Sequence, residues 1–164
     1  MTSSADSPNR LPWPPMIMVA AVTVGWFLNR ILPLGPCNAW LGNVAALWLG
    51  VALVVAALAL DVSAMTTMHK ARTNILPHRP ASKLVQSGPF AISRNPIYVG
   101  NALLLAGLGL IFANTWLLLM MLAAAIAMHH LAIRREERHL AARFGSEFAA
   151  YKDRVPRWLG LIKH

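Results

Sequence analysis

Apolar positions along this chain come in long blocks rather than in strict alternation. Stretches 14–32, 39–64, 97–113 and 116–133 are almost free of charge, and about 20 such residues cross the hydrocarbon of a bilayer as a helix. The pattern predicts an all-α integral membrane bundle of about four transmembrane helices. Only Asn114 and Thr115 separate the last two blocks, so those two read as a tight helical hairpin. Over 139–158, Leu140, Phe144, Phe148 and Tyr151 recur at spacings of three or four among Arg, Lys and Glu. That is the pattern of an interfacial C-terminal helix lying on the headgroups. The first block is longer than the apolar region of a cleaved leader, and no small-x-small site follows it, so it reads as a retained span. The chain accordingly divides into two N-terminal spans, 1–64, and a loop, hairpin and tail, 65–164.

Composition sharpens this picture. Of 164 residues, 57% are apolar or aromatic and 13% are charged, about half the charge of an ordinary soluble domain. Fifteen Lys and Arg face six acids, a net charge of +9. Most of this charge falls in two places. Lys70, Arg72, Arg79, Lys83 and Arg94 lie in the central loop, and Arg134, Arg135, Arg138, Arg143, Lys152, Arg154, Arg157 and Lys163 lie in the tail. With Arg10, they leave only Arg30 on the opposite side of a four-crossing topology. Basic loops face the cytoplasm, which predicts an inner-membrane protein with both termini inside. The same distribution makes anionic lipid, not nucleic acid, the partner of the charge. The single cysteine, Cys37, excludes an internal disulfide and a cysteine-based metal centre.

Two polar blocks remain in which chemistry can be built. The segment LVQSGPFAISRNPIYVG, 84–100, ends where the third apolar block begins. Asn95 is a favoured N-cap and Pro96 suits the first helical position. Arg94 reads equally as a snorkelling anchor and Tyr98 as an interface aromatic. The same groups suit a ligand: free N–H groups at a helix start, a guanidinium fork, an aromatic hydroxyl and a close approach at Gly100.

The second block, MHHLAIRREERHL, closes the fourth apolar stretch. On an α-helix residues 129, 133 and 136 share a face, as do 130, 134 and 137. Arg134, Arg135 and Arg138 are then placed to pair with Glu136 and Glu137 as a solvated surface. Adjacent histidines point about 100° apart, so His129 and His130 make a poor metal site, and no metal is expected. Helix arithmetic links the blocks. The outward run from Tyr98 to Ala113 is about 24 Å and the return from Trp116 to Glu136 about 31 Å. Tyr98 and the glutamates therefore return to similar depths at one membrane face. Gly107 and Gly109 permit either dimerisation or close packing within the hairpin.

The combination GPF…SRNPIYVG, an apolar hairpin, then EE..L…FG.EF..Y….VP resembles the isoprenylcysteine carboxyl methyltransferase family and, more broadly, the phospholipid methyltransferases. The resemblance covers about 73–159. It implies methyl transfer from S-adenosylmethionine to a lipophilic acceptor at the cytoplasmic membrane face, the acceptor atom being a carboxylate, amine or thiol. It implies cofactor contacts at Ser82, Lys83, Leu84, Val85, Phe90, Asn95, Pro96, Ile97, Tyr98 and Glu136. Arg94, His129, His130 and Glu137 are the candidate catalytic groups, a histidine serving as base. Two positions depart from the family: Asn95 replaces a histidine, and Ala132 stands where the isoprenylcysteine enzymes carry an arginine. The C-terminal region is also similar to sterol-type reductases that bind NADPH. A small non-catalytic membrane subunit is the third reading.

Overall fold

The structure, a computed structural model, describes residues 13–37, 39, 41–73 and 82–159. Of the basic residues invoked for orientation, Arg10, Arg79 and Lys163 lie outside this set. The described residues form an all-helical bundle: α1 (Trp13–Ile31), α2 (Asn43–Lys70), a short 3-10 turn (Gly88–Ala91), α3 (Pro96–Ile111), α4 (Thr115–Met128) and α5 (Arg134–Arg154). In the bundle α2 lies against α3, α3 against α4, and α4 against α1. No strand occurs among the described residues.

Among the described residues, three continuous helices are long and apolar enough to cross a membrane: α1, α2 and the 40-residue helix Thr115–Arg154 that contains α4 and α5. The third block is shorter than a full span. Its helix has 16 residues, about 24 Å against a hydrocarbon core of about 30 Å. It lies between α2 and α4, where protein rather than lipid covers much of its surface. The second block reaches further than expected, to Lys70, because the polar residues after Ala64 continue the helical hydrogen bonds beyond the apolar stretch.

Close approach of α2 and α3 depends on Gly50 and Gly107. A Cβ on Gly107 would sit 2.7 Å from the Gly50 carbonyl oxygen and 3.0 Å from the Val54 amide nitrogen. The glycines of the third block therefore serve packing inside the chain. The hairpin turn is equally specific. Asn114 N–H donates to Gly109 O at 2.8 Å and Ala113 N–H to Leu110 O at 3.3 Å, the paired bonds of a Schellman ending. Ala113 takes the left-handed conformation that this ending requires (φ 49°). The buried Asn114 side chain then caps α4, accepting from Leu117 N–H at 3.3 Å, so one residue ends a helix and starts the next.

The fourth block does not stop at the membrane edge. α4 runs through a π-turn at His129–Ile133 directly into α5, and α5 breaks at Gly145 (φ 48°, ψ −120°). Past the break, the aromatic stripe read as a headgroup-facing surface turns toward the protein. Phe148, Tyr151 and Val155 are buried together with Leu84, Leu140 and Phe144 against them. The central loop supplies that apolar partner, which the sequence pattern alone does not reveal.

Replacing Gly107 by alanine forces the α2 and α3 backbones apart and is expected to destabilise the protein by about 1–3 kcal/mol. Gly35→Ala, with no atom within 4 Å of the new Cβ, is expected to be neutral. Thermal unfolding in detergent checks the pair.

Candidate active site

The elements of the hairpin carry the two polar blocks to one end of the bundle, and a cavity of about 520 Å³ opens between them. From the central loop it is walled by Lys83, Leu84, Val85, Phe90, Arg94 and Asn95, and from the start of α3 by Pro96, Ile97 and Tyr98. Glu136 and Glu137 face it from the start of α5. Tyr98 joins the two sides directly: its hydroxyl donates to Glu136 Oε1 at 2.7 Å.

Beside this bond sits a charged cluster. Arg94 Nη1 lies 2.9 Å from Glu137 Oε1, with 8% and 13% of the two side chains exposed. Arg157 donates from Nε to the same carboxylate at 2.9 Å and from Nη2 to its other oxygen. The partners of Glu137 thus come from the loop and the C-terminal segment, not from the neighbouring arginines of its own helix. Burial lowers the pKa of Arg94, and the Glu137 charge counters that shift. Hydrogen bonding to Glu137 raises that of Arg157 against a smaller burial effect. Both arginines remain charged at neutral pH, so the cluster is an ion triad.

Backbone contacts fix the walls. The Thr73 hydroxyl accepts from Ser82 N–H at 3.1 Å and from Lys83 N–H at 3.3 Å, setting the loop as it returns to the bundle. Gln86 bridges Glu147 at 3.1 Å and Arg154 at 2.8 Å. The Tyr151 hydroxyl, kept neutral by burial, donates to Phe90 O at 2.7 Å. Arg94 N–H donates to Pro156 O at 2.9 Å. Asn95 spends its side-chain amide on Arg157 O at 2.8 Å, and so fastens the C-terminal segment while still bordering the cavity.

Three candidates fall elsewhere. Ser82 is exposed, outside the wall, and its hydroxyl donates to Arg72 O at 3.0 Å. His129 and His130 also lie outside it and stack edge to face at 5.0 Å. The reason is the π-turn in which they sit. Its wider hydrogen-bond ring adds a residue to the turn, shifting everything beyond it by about 100°. Glu136 therefore faces the cavity while His129, on the same face of a regular helix, does not. Ala132 is fully buried in the apolar core. Among the described residues no group of three or more His, Cys, Asp or Glu is placed to hold a metal ion.

The cavity also uses residues the sequence reading passed over. Phe148 and Tyr151 close it from α5, Pro14 and Met18 from α1, Asn101 and Leu104 from α3, and Asp61 with Met65 from α2. Asp61 had a visible signal, since a lone acid within an apolar span is a functional candidate by default. The closure by Tyr151 had only the amphipathic stripe, which fits a lipid surface equally well.

The sequence profile of the family described as phospholipid methyltransferase matches residues 45–147. The chain belongs to that family. The match runs from α2 to the part of α5 just beyond its break, and so takes in most of the cavity wall. Two curated proteins are similar over 78 residues, 48% of this chain. They are the cobalt-zinc-cadmium resistance protein CzcN of Cupriavidus metallidurans, 38% identical, and the nickel-cobalt-cadmium resistance protein NccN of Alcaligenes xylosoxydans xylosoxydans, 37% identical. In each case the match spans 36% of the relative's own length. No solved structure matches.

Removing the shared carboxylate leaves two arginines facing each other in a half-buried site. Glu137→Ala is expected to destabilise the protein by about 3 kcal/mol, in the range for breaking a buried ion pair. Arg135→Ala, on the exposed side of the same helix, is expected to change stability by less than about 0.5 kcal/mol. Chemical or thermal unfolding of both variants in one detergent checks the contrast.

Proposed function

We propose that this family member transfers a methyl group from S-adenosylmethionine to a lipophilic acceptor at the cytoplasmic face of a membrane. The observation that carries the reading is the Tyr98–Glu136 bond inside one cavity. It brings the two family-matched segments, 38 residues apart, into a common wall. The basic residues on the loop and tail side of the bundle support an orientation with that cavity inside the cell, as expected for a bacterial inner membrane.

The lining suits the cofactor. Leu84, Val85 and Phe90 offer apolar and aromatic surface for a purine, and Glu136 can accept from ribose hydroxyls or an amino group. Lys83 stands at the mouth for a carboxylate. When bound, the cofactor supplies a methyl group already activated on a sulfonium. The chain's own task is then to align the acceptor with that methyl and keep water away. Tyr98 orients the Glu136 carboxylate. Arg94 and Arg157 hold Glu137 and tie the loop to the tail, which makes Arg94 a positioning residue. His129 and His130 lie outside the cavity wall, so the base role expected of them finds no support in the lining. The carboxylate-binding arginine of the isoprenylcysteine enzymes is replaced by the buried Ala132, which favours acceptors other than a prenylcysteine carboxylate.

Calorimetric titration of the purified protein in detergent with S-adenosylmethionine is expected to show saturable binding, weakened at least about tenfold in Glu136→Ala and in Tyr98→Ala. Ser82→Ala is expected to bind as the parent does. Absence of binding by a folded parent protein, or displacement of the ligand by NADPH, contradicts the reading.

A further inference from the structure

Asp61 is the only Asp, Glu, Lys or Arg in α2 before Lys70 at its end. Its carboxylate lies against the α3 backbone, where a Cβ on Gly100 would overlap Oδ1. Oδ1 is buried and has no hydrogen-bond partner. The side chain lines the cavity, where Met65, Asn101 and Leu104 border the same space. These residues lie outside the segments assigned above to the purine, ribose and carboxylate. The cations closest to that assignment are already engaged, since Arg94 and Arg157 both pair with Glu137, and Lys83 is exposed on the loop.

An unpaired carboxylate in low dielectric is costly, and inside a membrane span it points to a ligand or an ion path. The rest of this wall is thioether, aliphatic and amide surface, which carries no positive charge of its own. A small inorganic cation would need several oxygen ligands, and among the described residues no group of three or more His, Cys, Asp or Glu is placed to hold one. An onium centre, whose charge is spread over carbon-bearing substituents, needs one carboxylate and a soft apolar surround.

We infer that Asp61 forms a subsite for an organic cation at the membrane-facing end of the cavity. The cation is an onium group, either the sulfonium of the methyl donor or an alkylammonium on the acceptor. The sulfonium source rests on the proposed function; the alkylammonium source is testable without it. Gly100 is a positioning residue, because only a side chain without Cβ leaves the carboxylate room against α3.

The test compares charged and neutral partners of similar shape: S-adenosylmethionine against S-adenosylhomocysteine, and octylamine against octanol, by calorimetry in nanodiscs. The parent is expected to prefer the charged member of at least one pair by about tenfold. In Asp61→Asn that preference should fall to near unity with the neutral partner's affinity unchanged. Loss in the first pair assigns the donor sulfonium, and loss in the second assigns the acceptor. Gly100→Ala, which keeps the charge but displaces it, should lose part of the same preference and covers the case in which Asp61→Asn fails to fold. Both preferences intact in either folded variant overturn the inference. A parent that binds neither adenosyl compound refutes the cofactor reading, and the octylamine pair then decides the subsite alone.

Discussion

Charge buried at a membrane edge must be matched, and the way this chain matches it organises its functional end. Glu137 has a side chain 13% exposed and would be strongly unfavourable there alone. Its two counter-charges come from residues 94 and 157, far apart in sequence and on different elements. Holding them together fixes the central loop, the start of α5 and the C-terminal segment as one unit. The backbone bond from Arg94 to Pro156 and the Asn95 bond to Arg157 O follow the same seam. Ion triads of this kind add specificity of arrangement more readily than net stability, and here the arrangement is the cavity itself.

Helix geometry supplies the second constraint. The short α3 and the longer return helix bring Tyr98 and Glu136 to the same depth. Depth alone does not decide which side chains face inward. The π-turn at His129–Ile133 does, by rotating α5 relative to α4. Such turns tend to sit at functional sites because they trade regular hydrogen bonding for a chosen orientation. The cost falls on a short stretch, while the two glutamates gain a common cavity with the loop.

Much of the fold was legible in the sequence because hydrophobic blocks and turn signals are local. The hairpin at Asn114 and the start of α3 at Asn95–Pro96 needed only neighbouring residues to be read. The meeting of Tyr98 with Glu136 followed from rise per residue and the topology of a hairpin. The exclusion of His129 from the cavity was not legible, since a π-turn has no sequence signature comparable to a cap. Nor was the role of Arg157, whose partners lie 20 and more residues away. The stripe Leu140, Phe144, Phe148 and Tyr151 was seen correctly as amphipathic but assigned to the wrong apolar partner. Periodicity reports that a face is buried and is silent about what covers it. Asp61 shows the opposite case: an isolated acid in an apolar run carries its own signal, yet its position beside Gly100 appears only when α2 and α3 are packed.

Family membership, the convergent wall and the basic face give one coherent account, in which loop, hairpin and tail wall a single cavity beside the Tyr98–Glu136 bond, the proposed cofactor site. A crystal structure grown with S-adenosylhomocysteine tests that claim most directly. The account predicts ligand density in the cavity between Leu84, Tyr98 and Glu136, with Glu137 still held by Arg94 and Arg157. Density at another place on the molecule, or a cavity filled by lipid while the ligand stays in solution, would contradict it.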